Sequence, residues 1–148
     1  ELRLPLGPRV ATRFEFVRMA LSHPGVLCAI MLRPFCRCKI HHATVTDANL
    51  DYIGSMTIPE DIMRKLDIRE GEQVECANVA NGERWTTYAI TGKKAGEYAL
   101  NGAAAHLGKI GDKLIIMIYC LLDEKEAASH RMKIAFLGAG NKLVKLQE

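Results

Sequence analysis

From Lys39 onward the chain reads as short strands. Ile40 to Thr46 and Gln73 to Val79 are rich in apolar and β-branched residues. Arg84 to Thr91, Lys113 to Tyr119, Lys133 to Leu137 and Lys142 to Leu146 follow the same pattern. Turn formers separate most of them: Asn81-Gly82, Gly92, Gly111, and Gly138 to Asn141. Helices are few and short. Pro59 fits a first helical turn, Glu60 and Asp61 suit its positive end, and Ile62, Met63 and Leu66 form an apolar stripe that ends before Gly71. A second helix is expected from Asp123 to Ser129. Many short strands without the long helices of repeated βαβ units argue against a doubly wound parallel sheet and for a small closed β-barrel.

Composition changes this picture at one end only. The chain has 148 residues, 49% hydrophobic and 25% charged, which suits a single globular domain. Residues 1 to 30 hold four Arg against two Glu, with Pro at 5, 8 and 24 and an Arg-spaced segment from Thr12 to Leu21 that fits a short amphipathic helix. Residues 1–34 are therefore read as a leader or extension ahead of a domain at 35–148. The body is close to neutral, without the clustered basic face of a nucleic-acid binder. Its longest apolar run, Leu114 to Leu122, is shorter than the ~20 residues of a membrane-spanning helix. Five scattered cysteines form no C-x-x-C pair and read as reduced thiols of a cytoplasmic protein. Cys36, Cys38 and His41 do not all face one way in an extended segment, so no metal is expected.

Gly54-Ser55 is the only Gly-Ser pair in the chain. Such a pair is ordinarily a turn, yet a specific reaction is open to it. The Ser55 hydroxyl can attack the Gly54 carbonyl and turn the amide into an ester whose serine half then eliminates. Glycine leaves that carbonyl uncrowded and tolerates the strained backbone required. Arg84 and Tyr88 stand four apart on one strand and share a face. Arginine offers a planar fork for a carboxylate, and a tyrosine hydroxyl can return a proton to a carbanion. Thr87, between them in sequence, falls on the other face by strict alternation. Lys39 stands in the first strand, and adjacent His41 and His42 are expected on opposite sides of it. Asn101-Gly102-Ala103-Ala104-Ala105 supplies an amide and several residues small enough for close backbone approach.

Taken in order, Lys39-Ile40-His41, Thr46 through Ser55, Asn81 through Tyr88, Asn101 through Ala105 and Gly111-Asp112 resemble the aspartate 1-decarboxylase family, the pyruvoyl-dependent enzymes of pantothenate biosynthesis. The resemblance runs from about Phe35 to about Leu146. It implies a mainly β fold, a double-psi β-barrel with a few short helices, assembled as a homotetramer with sites between subunits. It also implies a zymogen that cleaves itself between Gly54 and Ser55, Ser55 becoming a covalent pyruvoyl group, with neither metal nor pyridoxal phosphate. The substrate implied is L-aspartate, which forms a Schiff base with the pyruvoyl group and is converted to β-alanine and carbon dioxide. By the same resemblance Thr87 assists cleavage, Lys39 and Arg84 hold the substrate carboxylates, Tyr88 reprotonates the product carbon, and Asn101 orients the adduct beside Gly102, Ala103 and Ala104. Whether cleavage requires a maturation factor is left open.

A rival comes from another class. Met56 to Glu60 and Leu66 to Val74 also resemble the strand, helix, Gly turn and strand of swapped-hairpin DNA-binding regulators. Residues 56 to 79 hold six acids against three bases, the wrong sign for a phosphate-facing hairpin.

Overall fold

The computed structural model describes residues 31–53 and 55–148, of which those from Leu32 to Glu148 form one compact unit. The expected Thr12–Leu21 helix and the Gly54 half of the cleavage pair lie outside the described residues. Nine strands make up most of the fold: β1 (Arg33–Thr44), β2 (Asp47–Asn49), β3 (Met56–Pro59), β4 (Gln73–Asn78), β5 (Arg84–Gly92), β6 (Ala99–Asn101), β7 (Lys113–Leu122), β8 (Lys133–Leu137) and β9 (Leu143–Gln147). They hydrogen-bond in the order β2-β6-β3-β5-β4-β7-β1-β8-β9. The mainly β architecture expected from the strand pattern is the one observed, with β1 already under way at Arg33.

Only two residues separate β1 from β2, although six strand positions divide them in the sheet. Laid flat, six positions would span about 29 Å, far beyond the ~11 Å that three Cα steps can cover. The sheet must therefore roll up. The joint is where it closes: Val45 N–H donates to Asp112 O, Thr46 N–H to Tyr98 O, and Gly111 N–H to Val45 O, at 2.8, 2.8 and 2.9 Å. These bonds tie the approach to β7 and the approach to β6 to one segment, and the result is a barrel.

Alternation along each strand fills the barrel. Ile40, Met56, Ile58, Val74, Cys76, Ala89, Leu100, Leu114, Ile116 and Ile118 point inward, and none is more than 1% exposed. Burial pushes the Cys38 and Cys76 thiols up to about 12, so both stay protonated within the core.

Helix α1 (Glu60–Lys65) starts directly after Pro59, carries acids in its first turn and bases in its last, and buries Ile62 and Met63. It stops earlier than the apolar stripe suggested, because Leu66 is already its C-cap and Asp67 turns left-handed at φ +53°. Helix α2 (Glu124–Ser129) begins one residue after the expected start. Asp123 instead caps it, accepting from Lys125 and Glu126 N–H at 2.8 Å while Glu126 Oε2 takes the Asp123 N–H at 3.0 Å.

The segment behind the rival reading is barrel wall. Strand β3 pairs in parallel with β5 and antiparallel with β6, while β4 lies between β5 and β7.

Candidate functional site

Ser55 immediately precedes β3 and is 1% exposed. Its hydroxyl has no hydrogen-bond partner among the described residues. A buried hydroxyl is ordinarily satisfied, and an exception calls for a reason beyond packing. Antiparallel pairing of β3 with β6, Met56 opposite Leu100 and Thr57 opposite Ala99, brings Asn101 across from Ser55. Asn101 N–H donates to Ser55 O at 3.1 Å.

The Asn101 side chain continues this contact. It is buried, and its Nδ2 donates to Thr57 Oγ1 at 2.9 Å. Thr57 stands two residues beyond Ser55 and shares its face. Nothing in the sequence marked Thr57 beyond that spacing; its cross-strand partner is set by register. Gly102 to His106 follow as a short 3₁₀ turn. This turn and β5 enclose a cavity of ~300 Å³ lined by Trp85, Thr87, Asn101, Gly102, Ala103 and Ala104 among others.

On the other side, β3 and β5 run in parallel with Met56 beside Ala89. One residue back on each chain stand Ser55 and Tyr88. Tyr88 is 42% exposed and lines a cleft of ~960 Å³ with Tyr52, Ile53, Ile90 and Lys93. A smaller recess of ~350 Å³ shares Tyr52, Ile90 and Lys93 with that cleft and also reaches Thr57 and Asn101. Asn101 thus borders both the recess and the Thr87 cavity. The opposed faces expected for Thr87 and Tyr88 are retained: exposure alternates along β5, and the two residues line different cavities.

Arg84 is four residues from Tyr88 on the same strand face, mostly exposed, with Nη1 3.4 Å from Glu75 Oε1. Lys39 lines none of the three cavities described above. Register aligns Lys39, Met117, Glu75 and Thr86 in one row across β1, β7, β4 and β5. Three strand spacings, an arc of about 14 Å along the rolled sheet, lie between Lys39 and Thr86 of β5 within the chain.

The expectation for His41 and His42 is overturned. Their rings stack at 3.7 Å and 24° on one side of the strand. The cause is a register shift between His41 and Ala43 with His42 at φ +65°, which swings the second ring onto the first. Burial first, then His42 and Lys39, push the His41 imidazole below its usual range.

The comparisons with known proteins decide the family. A family model described as "Aspartate decarboxylase" matches residues 31–144. This chain belongs to the aspartate decarboxylase family. It is 51% identical over 117 residues to the aspartate 1-decarboxylase of Caldicellulosiruptor saccharolyticus, covering 78% of this chain and 91% of that protein. The Ralstonia pickettii aspartate 1-decarboxylase is 50% identical over 119 residues, covering 80% and 99%. That of Helicobacter pylori is 49% identical over 106 residues, covering 72% and 91%. The matched range runs from the approach to β1 into β9. Among the described residues no group of three or more His, Cys, Asp or Glu is placed to hold a metal, and no helix is long and apolar enough to cross a membrane.

Proposed function

We propose that this chain is an L-aspartate decarboxylase that releases carbon dioxide and β-alanine, the latter serving pantothenate biosynthesis. Family membership supports the class, and the observation that carries the reading to residues is the buried Ser55 hydroxyl opposite Asn101, without a partner among the described residues. A hydroxyl kept from water and from other partners is free to react with its own chain. Its Oγ attacks the Gly54 carbonyl carbon and the acyl group passes from nitrogen to oxygen. Elimination frees the Gly54 carboxylate and leaves a carbon–carbon double bond in residue 55. After tautomerisation to the imine, water replaces nitrogen, which leaves as ammonia, and residue 55 ends as a pyruvoyl group. Thr87, one residue before Tyr88 on β5, donates to the Gly54 carbonyl as charge builds on its oxygen.

The residues around Ser55 fit such a group: its hydroxyl is buried without a partner among the described residues, and the Asn101 N–H holds its carbonyl from the facing strand. The pyruvoyl group supplies an electrophilic ketone for the substrate amine and an adjoining carbonyl that accepts the electrons of decarboxylation. The remaining work falls to side chains. Asn101 orients the reacting centre, and Gly102, Ala103 and Ala104 let it approach the backbone closely. Tyr88 gives its proton to the carbon that has lost carbon dioxide. Arg84 holds a substrate carboxylate with its planar fork. Lys39 holds the other, and because it stands three strands from β5 and lines none of these cavities in its own chain, a second copy supplies it. A homotetramer with sites between subunits meets that requirement.

The test is the intact mass of the denatured, purified protein with an assay for β-alanine. Cleavage of the 148-residue chain gives 54 residues ending at Gly54 and 94 headed by residue 55, the larger lighter by one ammonia than a serine-headed fragment. Ser55→Ala stays one chain and makes no β-alanine. A chain still uncut after heating and after addition of a maturation factor, or a cut chain without decarboxylase activity, refutes the proposal.

A further inference from the structure

The reading above gives the Asn101 amide the task of orienting the reacting centre, and an amide on a freely turning side chain cannot do that. Asparagine's terminal torsion is broad, so some neighbour has to fix the plane of its carbonyl and amino groups. Asn101 has one side-chain hydrogen bond among the described residues, from its Nδ2 to Thr57 Oγ1 at 2.9 Å. Both residues are nearly closed to water, Thr57 at 7% and Asn101 at 6% exposure. In such surroundings a hydrogen bond is not readily exchanged for one to solvent.

The placement is imposed by the sheet. Thr57 pairs with Ala99 on β6, and Asn101 lies two residues beyond Ala99 on the same face. Thr57 is therefore the diagonal neighbour of Asn101, at a separation that longer side chains bridge. Ser55, two residues before Thr57, is the neighbour directly opposite, its carbonyl already taking the Asn101 N–H. The residue just ahead of β3 thus brings the reacting atom, and the next on that face, within β3, holds its partner's amide. With Nδ2 committed to Thr57, Oδ1 is the atom left to face the substrate side, where Asn101 borders both the ~300 Å³ cavity and the ~350 Å³ recess.

We propose that Thr57 is a positioning residue for decarboxylation: its hydroxyl fixes the plane of the Asn101 amide and thereby sets the rate of the chemical step. In this reading its hydroxyl acts through Asn101, to which it is bonded. The proposal rests on the functional reading given above.

Thr57→Val keeps the shape and removes the hydroxyl, and Thr57→Ser restores the hydroxyl and removes the methyl group. The intact-mass measurement gives the cleaved fraction of each, and kcat is expressed per cleaved subunit. Thr57→Val is expected to lose about ten- to a hundredfold in kcat with KM for L-aspartate within about twofold, the pattern of a misplaced group acting in the transition state. Thr57→Ser is expected to recover kcat to within about threefold of wild type. A Thr57→Val enzyme with unchanged kcat, or a Thr57→Ser enzyme as slow as Thr57→Val, overturns the proposal, the second outcome assigning Thr57 to packing alone. Hydrogen exchange of the Asn101 side-chain amide in the isotope-labelled full chain reads the hold without any turnover: slow in wild type and in Thr57→Ser, fast in Thr57→Val. Fast exchange in wild type refutes the hold itself. Slow exchange in a wild-type protein that cannot decarboxylate aspartate refutes the functional reading, and with it any catalytic consequence of the hold.

Discussion

Arg37 offers the sharpest test of how this barrel is held together beside its first strand. A register shift between Cys36 and Cys38 leaves Arg37 unpaired in the β1–β7 ladder and free to be aimed elsewhere. It is aimed at the turn after α1. Nη2 lies 2.6 and 2.7 Å from the two Glu72 carboxylate oxygens, and Nε donates to Oε1 at 3.2 Å. Nη1 donates to Leu66 O at 3.1 Å and Nη2 to Asp67 O at 2.9 Å, the carbonyls of the α1 C-cap and of the residue after it. Arg37→Ala removes all of these bonds together. The side chains of Arg37 and Glu72 are 22% and 26% exposed, so the pair falls between a surface ion pair worth under ~1 kcal/mol and a buried one costing ~3–5 kcal/mol to break. An expected loss of about 2–3 kcal/mol follows, since water can reach part of what is exposed. Glu72→Gln keeps an oxygen for the Arg69 N–H, which Oε2 accepts at 3.0 Å in the wild type, and should cost about 1 kcal/mol. In the double variant the losses should fall short of additive by about 1 kcal/mol. Urea unfolding followed by far-UV circular dichroism, at one fixed protein concentration, measures all four proteins; with a slope of ~1–3 kcal/mol/M the Arg37→Ala midpoint should drop by about 0.7 to 3 M. A midpoint for Arg37→Ala that implies a loss below ~0.5 kcal/mol would refute the reasoning.

Two further predictions concern charge and proton transfer. Tyr88→Phe should cleave as wild type does yet turn over roughly a hundredfold or more slowly, the share a positioned general acid contributes; normal turnover on L-aspartate would remove Tyr88 from its assigned role. Asp112, accepting from Asn78 Nδ2 at 2.9 Å and from Lys109 N–H at 3.1 Å, has its carboxyl held below the usual carboxylate range, mainly by the Asn78 bond. A carboxyl depressed in the fold contributes stability above its unfolded value near 4, and that contribution is lost as pH falls through the lower folded value. The stability of Asp112→Asn should therefore vary less between about pH 5 and pH 3 than that of wild type, measured by urea midpoint at each pH; equal slopes would disprove the linkage.

The longer strands could be read from the sequence because five or more residues suffice to show alternation. Strands β2, β3 and β6, of three or four residues, are too short to carry a period: β3 pairs with the longer β5, β6 then pairs with β3, and β2 with β6. Strand β3 and β6 nevertheless build the site, one leading from Ser55 and the other ending at Asn101. For that reason Thr57 was invisible: its significance is a cross-strand diagonal, and register is a property of the closed sheet. The stacked His41 and His42 pair was missed for a different cause. Alternation assumes extended backbone at each residue, and a left-handed histidine at a register shift carries no mark in the side-chain pattern. Gly54-Ser55, Arg84, Tyr88 and Asn101 could be nominated from the sequence because their residue types suit a particular chemistry in a particular order.

The separation of Lys39 from the rest of the site makes one last prediction that discriminates between two assemblies. Lys39→Ala leaves Ser55 and its processing intact but removes a carboxylate ligand, while Ser55→Ala keeps Lys39 on a chain that cannot cut itself. Each variant alone should be inactive or nearly so. When both are expressed together in equal amounts and purified as mixed oligomers, the outcome depends on which chain supplies Lys39. If each site takes residue 55 from one subunit and Lys39 from another, roughly a quarter of the sites draw both intact groups, and about that fraction of wild-type activity returns. If both groups come from the same chain, no site is ever complete: every cut chain lacks Lys39, and every chain with Lys39 is uncut. The row Lys39, Met117, Glu75, Thr86 keeps the ammonium three strands from β5 in its own barrel, so recovery is the expected result. Its absence, with mixed oligomers demonstrated by mass, would mean either that Lys39 reaches the site within its own barrel or that it holds no substrate at all, and rescue of Lys39→Ala by added alkylamine would tell those two apart.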